Sequence, residues 1–326
     1  MSELKQELYP LLFNPIFKDR IWGGSKLKDF LNKDIPSITT GESWEIADFE
    51  TDNSLVCNGE LKNYSLQNLI AKYKQDLLGS KTIAQFGLKF PLLFKFLDAK
   101  DDLSIQLHPN DELAQKRHNS FGKTEMWYIM QADPGAEIIV GFKEDSSAKE
   151  YLHHLENKSL ISILKRIPVK TGDIYYLETG TVHAIGKGIV IAEIQQTSDI
   201  TYRVYDWDRV DADGNSRELH IDLALDAINY NEVHAQQVYK RDINRVNSII
   251  KSPYFTTNYI PLDGNLQINK TTDCFRVYIV TKGEIDVFLN GNKYSFKLGD
   301  TFLIPACFTT IELNGQAEML EIYIEY

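Results

Sequence analysis

Apolar residues recur at three- and four-residue intervals in three stretches, SLQNLIAKYKQDLLGS (65–80), SAKEYLHHLENKSLISILKRI (147–167) and RELHIDLALDAIN (217–229). That spacing predicts helices, with Ser65 placed to cap the first. Much of the remaining chain falls into runs rich in Val, Ile, Tyr and Phe that end at Gly, Asp or Pro: EMWYIMQ, AEIIVGF, GDIYYLE, GIVIAEI, DITYRVYDW, FRVYIVT, EIDVFLNGNKYSFKL and GDTFLIP. These read as strands, and Asn290-Gly291 within the longest suits a type I′ hairpin turn. The expected class is mainly β with helical insertions.

An internal echo refines this. GDIYYLETGTVHAIG from Gly172 lines up with GDTFLIPACFTTIEL from Gly299, and MWYIMQADPGAEIIV lines up with RVYIVTKGEIDVFLN, allowing small gaps. Two copies of one β unit are the economical explanation, and a mostly antiparallel unit of this size suits a jelly-roll barrel. The expected division is residues 1–238, carrying the helical insertions, and residues 239–326. In this alignment His183 matches Thr310 and Glu125 matches Phe275, so the second copy keeps no polar equivalents. Chemistry is therefore expected in the first unit, and the second is expected to be a degenerate, metal-free barrel.

The length of 326 residues suits two packed units, and 43% hydrophobic with 25% charged residues is ordinary globular usage. A net charge of -11 argues against nucleic-acid binding, which needs a basic stripe, but leaves room for a small phosphorylated substrate met by a local cluster of Lys and Arg. Cys57, Cys274 and Cys307 are odd in number and widely spaced, which supports neither a disulfide framework nor a thiolate zinc site and points to a reducing cytosol. The opening MSELKQELYPLLFNP carries charges where a signal peptide needs an apolar core, and no stretch approaches the ~18 apolar residues of a membrane span. A soluble cytoplasmic protein with no membrane partner is expected.

Candidate chemistry lies in SIQLHP (104–109) and GKTEMW (122–127). Residues two apart in a strand share a face, so Ser104, Gln106 and His108 can point inward together, as can Lys123 and Glu125. His183 follows the GDIYYLE strand, where a barrel mouth would bring it beside them. Gln106, His108, Glu125 and His183 offer the nitrogen and oxygen donors that suit a divalent first-row metal, and Zn²⁺ accepts this mixture with a position left open. Asp199 and Arg203, four apart, fall on one face of an unbulged strand. His118, His153, His154, His220 and His234 show no ligand spacing with this set.

LSIQLHP, GKTEMWYI and GTVHAIGKG, in this order, resemble the type I mannose-6-phosphate isomerase family, a branch of the cupins. NPIFKDRIWGG (14–24), GESWEIAD (41–48), FPLLFKFLDAKDDLSIQLHP (90–109) and QQTSDITYRVYDWDR (195–209) fit its short bacterial form. The likeness spans roughly residues 10–235 and extends more loosely to the C-terminus as a second cupin-like unit. It implies one Zn²⁺ per chain on Gln106, His108, Glu125 and His183, and interconversion of mannose 6-phosphate and fructose 6-phosphate through an enediol. With Glu125 the only anionic ligand, such a site keeps about +1 of formal charge, which favours Lewis acidity. The resemblance also places Arg203 and Lys123 in the active site. Zinc and Arg203 nearby are expected to make Lys123 easier to deprotonate, with Glu125 opposing. Asp199, Lys123 and a water on the metal all qualify as the base. Ser104, Lys95, Lys100, Lys123 and Arg203 are candidates for holding the phosphate, and Trp22 and Trp44 for walling the pocket. An iron-dependent cupin oxygenase and a non-catalytic sugar-binding cupin are the competing readings; no partner protein is implied.

Overall fold

The computed structural model describes residues 7–210 and 214–325. The N-terminal unit is built on two antiparallel sheets. One has six strands in the order Ile16–Asp19, Thr40–Ile46, Leu92–Ala99, Ile189–Gln196, Glu125–Ala132 and Ile174–Leu177. The other has five, in the order Tyr202–Tyr205, Ile105–Leu107, His183–Ile185, Glu137–Phe142 and Leu164–Pro168.

The central strands Leu92–Ala99 and Ile189–Gln196 are buried along their whole length. A strand covered on both faces has no polar side, which is why these stretches read as near-continuous apolar runs. Strand alternation separates their contacts. Phe94, Phe96, Met126, Tyr128, Ala192 and Ile194 join a core with the helices of residues 66–86 and with Phe255, Phe275, Val277 and Leu320 from the C-terminal unit. Leu97, Ala99, Trp127, Ile129 and Ile191 turn the other way, into a core with Ile138, Val140 and Ile185 of the five-stranded sheet. That inner core is the floor on which the polar site sits.

In the C-terminal unit a single seven-stranded sheet carries three 14-residue strands, Thr256–Asn269, Arg276–Leu289 and Thr310–Tyr323. They fold over near Gly283 and Gly315, enclosing a core of Ile260, Tyr278, Val280, Val287, Leu313 and Met319. A Cβ on Gly283 would stand 2.0 Å from the Gln316 carbonyl oxygen, and its φ of +74° is a left-handed value that glycine adopts without strain. Leu11–Leu12 also pairs into this sheet, Leu11 opposite Leu303, so the expected N-terminal unit lends it two residues. The expected barrels thus take the form of a two-sheet sandwich and a sheet folded over on itself.

The predicted helices are shorter than their periodicity. Leu66–Tyr73 starts at Ser65, whose hydroxyl accepts from the Asn68 N–H at 3.2 Å, and Lys74 at φ +46° breaks it from Gln75–Leu78. Within 147–167 the α-helix is Ala148–Glu156; Lys158 at φ +52° ends it, a 3₁₀ turn follows, and Leu164–Pro168 is a strand. The β-branched residues Ile161, Ile163 and Ile167 fit two-residue alternation as well as helical spacing, and pairing with Glu137–Phe142 decides the outcome. Only Ile221–Leu225 of 217–229 is helical. Asn290 and Gly291, at φ +49° and +80°, make the hairpin turn predicted for them.

Candidate active site

Gln106 faces His183 on one neighbouring strand and Arg203 on the other, so three short strands bring the first-unit motifs to one end of the sandwich. His108, Glu125 and His183 converge there, with one donor atom from each lying within 4.8 Å of the others. His108 Nδ1 bonds to the Ile200 carbonyl and His183 Nδ1 to the Thr181 carbonyl, both at 2.8 Å. A carbonyl accepts only, so each Nδ1 carries the proton and each Nε2 presents a lone pair. His108 Nε2 accepts from Lys123 Nζ at 3.2 Å, whereas the His183 lone pair faces Glu125; the two Nε2 atoms stand 3.5 Å and 3.4 Å from Glu125.

Burial pushes the His183 imidazole down to about 4, and burial followed by the Lys123 charge holds His108 well below its ordinary range. With both rings neutral, the contacts to Glu125 are not ion pairs. Both Glu125 oxygens and His183 Nε2 are buried without a hydrogen-bond partner. Lone pairs directed at one another in a water-poor site repel, and orphaned buried acceptors of this kind are costly. A divalent cation among them satisfies all three, so the donor set fits a metal. Gln106 lines the same cavity, its Oε1 3.2 Å from Ser104 Oγ.

The cavity beside this trio holds about 550 Å³. Trp22, Trp44, Lys95, Ser104, Lys123, Asp199 and Arg203 all line it. Lys95 stands 3.9 Å from Glu42 and 3.7 Å from Glu193; Lys123 stands 3.2 Å from Glu125 and 3.8 Å from Glu193. Burial pushes the Lys123 ammonium down, but Glu125 and Glu193 more than offset it and the net displacement is upward. The protein's own charges thus act against the expected ease of deprotonation. Burial also pushes the Glu42 carboxyl up, yet Lys95 and Arg20 hold it below its usual range. Glu42 accepts from Arg20 Nε at 2.7 Å and from Trp44 Nε1 at 2.6 Å.

Two expectations change. Lys100 lies outside the cavity: it is exposed just past the end of Leu92–Ala99, where the chain bends away and its N–H donates to the Trp22 carbonyl. Asp199 and Arg203 do share the cavity, but not through strand alternation, because Asp199 precedes the strand Tyr202–Tyr205 and is exposed. Sequence reasoning passed over Glu42, Glu193, Arg20 and Arg217, which also line the cavity. A lone acid inside the apolar run GIVIAEI was the available signal for Glu193, since an unpaired carboxylate is almost never buried.

The second unit carries a polar layer of its own. Ile129 N–H donates to the Asp173 carbonyl and Val280 N–H to the Asp300 carbonyl, so Ile129 matches Val280 and Glu125 matches Arg276 rather than Phe275. In the same register Glu193, opposite Lys95 and Trp127, matches Glu321, opposite Asn258 and Tyr278. Glu321 accepts from Asn258 and Tyr278 at 2.8 Å each and lies 3.3 Å from Arg276 Nε. The expectation that the second copy kept no polar equivalents is corrected: it kept a buried set in which Arg276 is the cation.

A two-sheet antiparallel sandwich with a His-Glu-His trio at one end of its interior defines a cupin-type enzyme with a candidate metal centre. Residues 11–140 match the catalytic domain of type I phosphomannose isomerase, and residues 245–324 match the cupin domain of mannose-6-phosphate isomerase. The chain is 40% identical over 318 residues to mannose-6-phosphate isomerase ManA of Bacillus subtilis, covering 95% of this chain and 98% of that one. It is 36% identical over 314 residues to the mannose-6-phosphate isomerase of Streptococcus mutans, covering 95% and 97%. A crystal structure of the mannose 6-phosphate isomerase from Bacillus subtilis superposes with a TM-score of 0.88 at 33% identity, covering 97% of this chain and 99% of that one. The chain belongs to the type I mannose-6-phosphate isomerases, enzymes of the aldose–ketose isomerase class. Among the described residues no helix is long and apolar enough to cross a membrane.

Proposed function

We propose that the protein interconverts mannose 6-phosphate and fructose 6-phosphate in a zinc-dependent reaction, by proton transfer through an enediol. The observation that carries the reading is the set of orphaned donors on Glu125 and His183 beside a cavity lined by Lys95, Lys123 and Arg203. Gln106, His108, Glu125 and His183 would hold one Zn²⁺, whose Lewis acidity would stabilise negative charge on a sugar oxygen.

The remaining roles fall to the chain's own groups. Arg203 donates through Nε to Ser104 Oγ at 3.3 Å and through Nη1 to the Glu218 carbonyl at 2.9 Å, which fixes its guanidinium at the cavity next to Gln106. There it stabilises the charge that builds as the proton leaves C2, and preorganised donors of this kind are typically worth about 3–4 kcal/mol in the transition state. The proton returns to C1 to give the ketose. Asp199 and Lys123 are the two side chains proposed to carry it, and substituting each in turn separates them. Lys95 and Ser104 bind the sugar, and Trp22 and Trp44, both nearly fully buried, keep water from the intermediate. Residues 1–238 form the proposed catalytic unit and 239–326 the cupin-like unit packed against it, and the cytoplasm is the proposed location.

Conversion of mannose 6-phosphate in D₂O, followed by NMR, tests the reaction and its route together. Fructose 6-phosphate with deuterium at C1 in at least part of the product is expected. Conversion wholly without solvent exchange would leave the hydrogen passing from C2 to C1 without reaching solvent, which a direct hydride shift also explains, and no conversion would remove the activity.

A further inference from the structure

Charge in the cavity is unevenly distributed. At the metal end each lysine already stands between two carboxylates, Lys95 between Glu42 and Glu193 and Lys123 between Glu125 and Glu193. At the other end Arg203, Arg209 and Arg217 gather around Asp206, which is 6% exposed. Asp206 Oδ1 accepts from Arg209 Nη2 and Arg217 Nη2, both at 2.6 Å, and Oδ2 accepts from Arg217 Nε at 2.7 Å. Among the described residues, three guanidiniums against this one buried carboxylate leave a surplus of positive charge. Of the neighbouring acids, Glu218 offers Arg203 its backbone carbonyl while its side chain is 82% exposed, and Asp199 is at the exposed rim.

The three arginines are not equivalent. Arg209 also donates to the Asp102 carbonyl at 2.6 Å and does not line the cavity. Arg217 binds Asp206 along one edge of its fork, through Nε and Nη2, and lines the cavity together with Arg203. Arg20, the other cavity arginine, is engaged by Glu42 through Nε and by the Asp19 carbonyl through Nη1. A fixed guanidinium with surplus positive charge around it suits a dianion, because its planar fork can bind two phosphate oxygens in parallel. The substrate has the matching polarity: C1 and C2 react at one end of its carbon chain and the phosphate sits at the other.

We propose that Arg217 contacts the phosphate of the sugar phosphate, making Arg217 a residue that sets the preference for phosphorylated over free sugar, with Asp206 fixing its orientation and Arg203 standing between it and the reacting carbons. The proposal rests on the isomerase reading for its substrate, while the anion site itself can be tested apart from it. Arg217→Gln is expected to lower kcat/KM for mannose 6-phosphate on the order of 10- to 100-fold, mainly through KM, the range for losing a charge-assisted pair. The inhibition constant of inorganic phosphate should rise by a similar factor, while zinc content stays at the wild-type value and the preference for mannose 6-phosphate over unphosphorylated mannose falls. Arg217→Lys, which keeps the charge but loses the fork, should fall between. A parallel fall for phosphorylated and free sugar, or unchanged inhibition by inorganic phosphate, would overturn the proposal in favour of a purely structural Arg217. Were wild type inactive on mannose 6-phosphate, the isomerase reading would fail, and calorimetric titration of inorganic phosphate into wild type and Arg217→Gln would still decide the anion site. Weaker binding by the variant is expected, and equal affinity would overturn it.

Discussion

Replacing His183 by alanine probes the donor trio at a fully enclosed member. In metal-free protein the change has two opposing parts. It deletes a ring that packs edge-on against Trp127 at 5.4 Å and removes the 2.8 Å partner of the Thr181 carbonyl, a loss on the order of 1–3 kcal/mol. It also removes the lone pair that faces Glu125 at 3.4 Å, which relieves repulsion. The net loss of stability should be modest, about 1–2 kcal/mol, leaving the fold intact against a usual reserve of ~5–15 kcal/mol. The effect on metal should be larger. Losing even a supporting contact lowers metal affinity ~10- to 100-fold, and losing a ligand should do at least as much. With zinc in excess, that factor takes roughly 1.4–2.7 kcal/mol from the zinc-dependent part of the stability, several degrees in Tm. Thermal unfolding of both proteins with and without zinc separates the two parts, and elemental analysis counts the metal. A variant that keeps one zinc per chain and the same zinc-induced rise in Tm would refute the assignment of His183.

Four further outcomes follow from the same geometry. Gln106→Glu adds a second anionic ligand, so zinc should remain bound while turnover falls at least ~10-fold as the metal's charge is neutralised; full turnover would remove the charge argument. Burial holds His183 near a pKa of about 4 against ~6.5 in an unfolded chain, so the unfolded state takes up the proton first as pH falls. Metal-free protein should thus lose up to about 3 kcal/mol between pH ~6.5 and ~4, and denaturant titrations of His183→Ala should show a shallower loss. Phe275→Ala, at a ring 4.9 Å from Phe90 in the core shared by the two units, should cost about 3–5 kcal/mol while leaving zinc stoichiometry unchanged, checked by denaturant midpoint and metal analysis. Arg276→Met should destabilise by a similar amount by leaving Glu321 buried beside no cation, and Arg276→Met with Glu321→Gln should recover most of it; a double variant no better than the single would contradict the pairing.

The strands were legible because their composition and turn residues agree, and His108, Glu125 and His183, which the fold brings together, and Gln106, which lines the same cavity, stood out as candidates because each sits in or beside a strand carrying a distinctive local motif. What was missed has identifiable causes. Glu42 and Glu193 come from strands distant in sequence and meet Lys95 only after the six-stranded sheet assembles, Lys95 being paired directly with Glu193. Arg217 reaches the cavity from a segment whose helical spacing drew attention elsewhere. The duplication was visible, but its register slipped by one residue because Tyr128 and Tyr278 match by type. One residue in a strand exchanges faces: Tyr128 points into the core between the units and Tyr278 into the core of the second. Corrected by backbone pairing, the alignment turns an apparently empty second site into one where Arg276 provides the positive charge beside Glu321.

The central claim is that turnover depends on a metal at the trio, and removing the metal measures it most directly. Protein stripped by a chelator and verified metal-free should lose conversion of mannose 6-phosphate to fructose 6-phosphate and regain it when Zn²⁺ is restored, with Fe²⁺ and Mn²⁺ tested separately for comparison. Undiminished turnover in the verified metal-free protein would contradict the account.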